Sequence, residues 1–444
     1  MQEFYDVREL HGYTTTIVYD NGEIDEISTH YISGAAVRAL AGGSYGFTMV
    51  DDPARAGDAV EDALSLARRL NKLNPRPRIE LKAIPDVKRD AYRVKKDPEG
   101  IPLSDKQDLL KSIEAALREG DKKGLIKSTR INYVETGAHL INYGSEGRRV
   151  EYDLVRTGFS CSTVAGEGSD LQAARRSYFN VGGFEVFDQC DPAGLAKEAT
   201  AEAFQLLSAR QSPGGRFDVV LDPKLAGVFI HEAVGHASEA DTVLDGDSCL
   251  EGKIGQQVGS ELITVRDDPT RLQYGYYPYD SEGVPSHLTT IIENGVMKAY
   301  LNSRETAAKL GGEPGNARAG GMARPVVRMS NTFIDNGEMS REEVFEGVSG
   351  IYLKGSRGGQ VNTGEGVFQF NAVMGYLIKD GKLGEPVRDV SLSGNTLKTL
   401  DSIVRVANDL EFSSGTCGKA GQGVPVGDGS PHLLIKDAVV GGHT

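Results

Sequence analysis

His231-Glu232-Ala233-Val234-Gly235-His236 places an acid between two imidazoles inside an apolar run. Upstream, Asp222 is a good N-cap and Pro223 suits a first helical turn. Leu225, Val228, Phe229 and Ile230 follow almost without a polar break. A helix apolar on nearly every side is a buried helix. A buried carboxylate is costly unless something pairs with it, and a metal ion held by both histidines, with Glu232 beside it, would resolve that cost. The familiar zinc-hydrolase helix spaces its histidines i, i+4 on one face. Here the spacing is i, i+5, which leaves the side chains roughly 140° apart on an ideal helix. Both reach one ion only if the helix ends, widens or bends between them, and Gly235 stands where such a departure costs least. The competing reading is two unrelated histidines, one in the core and one at a helix C-terminus.

Around this helix the C-terminal half reads as strand-rich. A strand at 217–221 leads into the helix. Hairpins follow at 288–301, turning on Asn294-Gly295, and at 372–390, turning on Lys379-Asp380-Gly381-Lys382. Short helices are expected at 304–310, 341–348 and 397–407. The N-terminal half is mixed. A hairpin turns on Asn21-Gly22, a second spans 34–50, helices cover 54–73, 104–119 and 191–210, and short antiparallel strands fill 125–187. The fold class is α+β, with an antiparallel sheet in a mixed N-terminal half and a β-dominated C-terminal domain. Gln211-Ser212-Pro213-Gly214-Gly215-Arg216 is the best linker. It sets domains of 1–210 and 217–444, with a sub-boundary near 75–103.

Further residues could carry chemistry. Glu239 and Asp241 follow His236 closely; they are partners that orient an imidazole, or one is a metal ligand, or both are ordinary loop acids. The Gly-rich stretch 355–366 lacks the ending of a phosphate loop and suits a close backbone approach or a peptide added as a strand. In the Gly-rich stretch 413–423, Cys417 stands two residues before Lys419. A thiolate there would suit zinc, and a nearby cation favours the thiolate; alone, such a cysteine is a small buried thiol. Cys161, Cys190 and Cys249 are read that way. His432 is a weaker metal or substrate candidate, and His11, His30, His139, His287 and His443 have no supporting context.

A formal net charge of −14 over 444 residues argues against nucleic acid as a partner. No segment approaches the ~20 apolar residues that span a bilayer, the acidic N-terminal segment from Met1 has no signal-peptide core, and four scattered cysteines suit a reducing compartment. The expectation is a cytoplasmic chain with no membrane partner.

These residues point to a family. The His231-to-His236 motif with Glu239-Ala240-Asp241 after it resembles the signature of the TldD/PmbA metallopeptidases. Gly358-Gly359-Gln360-Val361 with Gly366-Val367-Phe368, and Gly415-Thr416-Cys417-Gly418-Lys419 through Ser430-Pro431-His432, resemble that family's later segments. The resemblance implies a zinc peptidase in which His231, His236 and Cys417 hold Zn2+ and Glu232 is the general base. Gly358, Gly359, Gln360 and His432 are then candidates for substrate binding. It also implies a short or unfolded peptide as substrate, received as a strand in an enclosed cavity. The working form would be a homodimer, or a heterodimer with a related subunit that lacks the zinc motif. The rival expectation is a non-catalytic peptide-binding or scaffolding subunit.

Overall fold

The computed structural model describes residues 3–121 and 123–442; Met1, Gln2 and His443 lie outside the described residues. Asn21 and Gly22, both at positive φ, close the first hairpin, as the tight turn between twisted strands requires. The strands it joins are long: β1 is Phe4–Asp20 and β2 is Glu23–Ala41. β3 (Ser44–Val50) folds back on the far end of β2, and α1 (Ala56–Leu73) covers both. Its face is Ala56, Ala59, Ala63 and Leu64, packed on Val7, Ala35, Val37 and Ala39. After α2 (Leu103–Arg118) come β4 (Ile126–Gly144), β5 (Arg149–Glu167), β6 (Asp170–Val181) and α3 (Pro192–Ser208). One six-stranded antiparallel sheet results, in the order β3-β2-β1-β4-β5-β6. α2 and α3 bury its middle through Leu110, Ile113, Leu117, Ala196 and Ala199 against Ile17, Tyr133 and Phe159.

In the C-terminal half, five strands close into a ring. Gly350–Asn362, Gly215–Leu221, Leu433–Gly441, Ser391–Asn395 and Val367–Lys379 pair in that order, and the last pairs again with the first. A second sheet runs Val296–Met297, Thr289–Glu293, Val265–Asp267, Asn331–Ile334, Gln422–Ser430 and Glu411–Lys419. Helix α4 (Pro223–Ile230) lies between the ring and this sheet. Its Leu225, Ala226, Phe229 and Ile230 are fully buried in one core with Ile351 and Leu353 of the ring and Val424 and Val426 of the sheet. That contact on all sides is why the helix sequence has no polar stripe.

One local expectation is corrected, and two other segments gain definition. The helix expected at 397–407 is Thr396–Asp401 followed by a strand, Ile403–Val406, paired to Leu433–Gly441. The Gly-rich stretch 355–366 is mostly strand with a bulge between Ser356 and Gly359, and its Gly355 N–H donates to the Asp222 carboxylate at 2.9 Å, in keeping with the expected close approach of backbone. The segment read as a linker is tied down: Arg210–Gln211 pairs with Lys382–Arg388, and buried Ser212 donates its N–H to Arg388 O. Among the described residues no helix is long and apolar enough to cross a membrane.

Candidate metal centre

Asp222 caps α4, accepting from the Leu225 N–H at 2.8 Å. The α-helix ends at Ile230, and the next turn, His231–Gly235, is a π turn in which the His236 N–H donates to His231 O. Closing the turn over five residues instead of four is the widening that the i, i+5 spacing demands. It brings the two imidazoles face to edge, 5.3 Å apart between ring centres. Gly235 has ordinary helical angles. It is glycine because a Cβ would drive into the Met329 sulfur, so its role is clearance, not conformational freedom.

Cys417 arrives from Glu411–Lys419, the edge strand of the second sheet. Its Sγ lies 3.3 Å from His236 Nε2, and one donor atom from each of His231, His236 and Cys417 falls within 4.8 Å of the others. Zinc bonds of ~2.0 Å to nitrogen and ~2.3 Å to sulfur, spread tetrahedrally, put donors roughly 3.5 Å apart. The donor set and its spacing therefore fit zinc. Glu232 sits at the rim with its carboxylate 3.8 Å from His236 Nε2 and its side chain 30 % exposed.

The outer nitrogens of both rings face carboxylates. His236 Nδ1 lies 3.0 Å from fully buried Glu239. His231 Nδ1 lies 2.7 Å from Asp428 Oδ1, although the N–H is not aligned with it and neither atom has a well-directed partner. This leaves Nε2 of each ring for an ion, the usual arrangement behind metal-bound histidines. Glu239 is neutralised in turn by Lys419 at 2.9 Å, and Lys419 also reaches Asp241 at 2.7 Å. Asp241 thus holds Lys419 and, through Val327 N–H at 3.2 Å, the chain beside it.

Charge follows this geometry. Burial pushes the Cys417 thiol up, but hydrogen bonds from His231 and His236 outweigh it and bring it down to about 5. The histidines, not Lys419, favour the thiolate. Burial opposes charge on His236, but Glu239 and Cys417 lift it to about 9; Asp428 and Cys417 likewise raise His231 against its burial. Burial raises Glu232 against the pull of both imidazoles.

Other expected site residues lie elsewhere. Gly358, Gly359 and Gln360 are exposed on the bulged strand. His432 is buried, with Nδ1 on Asp409 at 2.7 Å and Nε2 on Tyr352 OH at 3.2 Å. Both nitrogens are spent and the ring stacks on Tyr352, so the expectation of a substrate or metal role for His432 is corrected to packing. Sequence reading missed Asp428 and Arg328. Fully buried Arg328 donates to Cys417 O at 2.5 Å and fixes the strand that carries the thiol. The only sequence signal for Asp428 is its setting, Gly427-Asp428-Gly429, against Gly227 of the helix, where a Cβ would crowd the Asp428 main chain.

Comparison with known proteins agrees with a metallopeptidase architecture. Models of PmbA/TldA metallopeptidase domain 1, the central domain and the C-terminal domain match residues 5–70, 96–207 and 214–442. The chain belongs to the PmbA/TldD family. A Methanothermobacter thermautotrophicus metalloprotease is 43 % identical over 444 residues, covering 99 % of this chain and 96 % of that protein. A Saccharolobus solfataricus protein named zinc metalloprotease TldD homolog is 31 % identical, covering 92 % and 90 %. Among solved structures, Thermococcus kodakarensis TldE superposes with a TM-score of 0.76 at 21 % identity, covering 98 % of this chain and 96 % of that one. A Thermotoga maritima protein named as a modulator of a DNA gyrase gives 0.82 at 23 %, covering 99 % and 96 %. These two likenesses concern the fold.

Proposed function

We propose that this chain is a cytoplasmic zinc-dependent peptidase that hydrolyses short or unstructured peptides. The observation that carries the reading is the meeting of His231, His236 and Cys417, with donor atoms within 4.8 Å of one another and Glu232 at the rim. Bound zinc supplies Lewis acidity and makes water a nucleophile near neutral pH. The chain's own residues do the rest. Glu232, mostly buried at the rim and with its affinity for protons raised by that burial, takes a proton from water and returns it to the leaving amine. Asp428 and Glu239 hold the imidazoles in orientation. Among the described residues the edge strand that carries Cys417 has one side without a strand partner, so a peptide can lie beside it as an added strand, held by its main chain.

Glu232→Gln separates this reading from a peptide-binding subunit without catalysis. Gln is nearly isosteric and cannot accept the proton. Zinc content should stay at the wild-type level while cleavage of a denatured protein falls by ~10²–10⁴-fold. Cleavage at the wild-type rate by the variant removes the general base, and a wild-type chain without zinc or cleavage favours the binding subunit.

A further inference from the structure

Between the N-terminal sheet and the C-terminal half lies a cavity of about 250 Å³. Arg8 of β1, Arg156 of β5 and Arg318, from the short segment Ala317–Arg318, all line it. Their protein hydrogen bonds go to main-chain carbonyls: Arg8 Nη2 to Gly321 and Ala323, Arg156 Nε and Nη2 to Tyr274 and Tyr276, Arg318 Nη1 to Met329. Among the described residues none of the three is ion-paired. Arg8 is 5 % and Arg318 6 % exposed. A buried guanidinium without a counter-ion is costly, and burial brings Arg8 and Arg156 down to about 10. Among the described residues each also has N–H groups without a hydrogen-bond acceptor in the protein. Asp280 is the carboxylate on the cavity wall; its oxygens accept the N–H groups of Glu282, Val284 and Ala317. Burial and neighbouring Glu282 raise its affinity for a proton against those three donors, and among the described residues it is ion-paired to none of the three arginines.

The cavity shares a wall with the metal centre. Val424 lines it, and Val424 is the direct cross-strand partner of Cys417. The cavity therefore borders the strand pair that carries the thiol, through Gly423, Val424 and Pro425. A space of this size admits the end of a peptide chain.

We propose that this cavity is a carboxylate-binding subsite that takes the C-terminus of the peptide substrate, with Arg8, Arg156 and Arg318 as the residues that bind it. Three preorganised guanidinium groups match a carboxylate's acceptors. A substrate anchored there is cut near its C-terminal end. The inference rests on the peptidase reading for the identity of its ligand, but the binding itself needs no chemistry.

The test is calorimetric binding to the full-length Glu232→Gln chain, which spares the ligand, with N-acetylated hexaalanine as the free acid and as the C-terminal amide. The acid should bind at least ~10-fold tighter, the scale of a lost charged hydrogen bond. Arg8→Gln and Arg318→Gln should bring the acid to the affinity of the amide and leave the amide unchanged. Equal binding of the two peptides, an acid preference that survives in both arginine variants, or no binding of either at millimolar concentration overturns the proposal. An amidated peptide ending in glutamate that binds as tightly as the free acid overturns the assignment to the C-terminus. If an arginine variant fails to fold, the acid-against-amide comparison decides by itself. A wild-type chain that cleaves no peptide while the acid preference stands removes the peptidase reading and leaves the carboxylate subsite.

Discussion

Cys417 shows how the centre is assembled from parts that differ in how hard they are to replace. It is the soft donor of the set, and its strand is fixed by Arg328 at the main chain. Cys417→Ser should lose most of its zinc on dialysis against a weak chelator, because a serine hydroxyl is a far poorer ligand than a thiolate. Glu239 meets the candidate ligands at the outer nitrogen of His236, with Lys419 as its counter-ion, so Glu239→Gln should keep the site and weaken it by ~10–100-fold. Asp241 reaches the centre only through Lys419, so Asp241→Asn should hold zinc best of the three. Metal content measured across the three variants at one chelator concentration checks the order. Full zinc in Cys417→Ser with loss in Glu239→Gln would move the third ligand to Glu239.

At the scale of the element, the widened turn after α4 aligns His231 with His236 and depends on the absence of a side chain at Gly235. Gly235→Ala should cost ~1–3 kcal/mol by overpacking against Met329 and displace His236, with loss of zinc. Adding Met329→Ala should restore zinc, since it vacates the space that the new methyl needs. Zinc retained in the single variant, or lost equally in the double, argues that the turn does not depend on this clearance. The start of the helix carries a pH dependence. Burial lifts Asp222 to about 6 against its two N–H donors, Leu225 and Gly355. Its folded value lies above the unfolded one, so between the ordinary aspartate range and about 6 the folded chain keeps a proton that the unfolded chain has lost. Its contribution to stability is full below that window and falls as pH rises through it, by up to ~3 kcal/mol for ~2 pKa units. The difference in thermal midpoint between wild type and Asp222→Ala should therefore be larger at about pH 4.5 than at about pH 7.5; equal differences would remove the linkage. These elements were legible to different degrees. The α4 cap, the His-Glu-His triplet and the Asn-Gly turns are local signals, and the structure keeps them. The long strands were read in pieces because buried exceptions break their alternation. Glu135, paired with Lys106, interrupts β4, and Arg156, turned to the cavity, interrupts β5. Gly137 reads as a turn, but it lies inside β4 because the Tyr13 ring packs over it. Asp428 and Arg328 were illegible because only the pairing of strands distant in sequence brings them to the histidines.

At the scale of the whole molecule, the edge of the N-terminal sheet along β2 stands out among the described residues. β3 pairs with Ala35–Ala41 of β2 and stops there, so the outer edge of β2 from Glu23 to Gly34 has no strand beside it among the described residues. Ile27 and Tyr31 stand opposite Ile17 and Tyr13 of β1, on one face, and remain 44 % and 77 % exposed. Glu23, Asp25 and Glu26 guard the tip, whereas residues 27–34 contain no acid. An uncovered edge with exposed apolar side chains is a template for another chain. The dimer expected of a peptidase that shields its centre would be sealed here, by a second copy or by a related subunit. The arginine-lined cavity borders the same strand, since Ile32 is part of its wall, so a partner on this edge would also narrow the approach to that cavity. Light scattering at micromolar concentration should give twice the chain mass for the purified protein, or for its complex with the related subunit. Ile27→Lys together with Tyr31→Lys should shift it to a monomer with zinc content unchanged, because both residues lie far along the chain from the metal centre and on an exposed face. A wild-type chain that is monomeric and fully active, alone and without any partner, would show that the edge is blunted by its acids alone and that access to the centre is not governed by assembly.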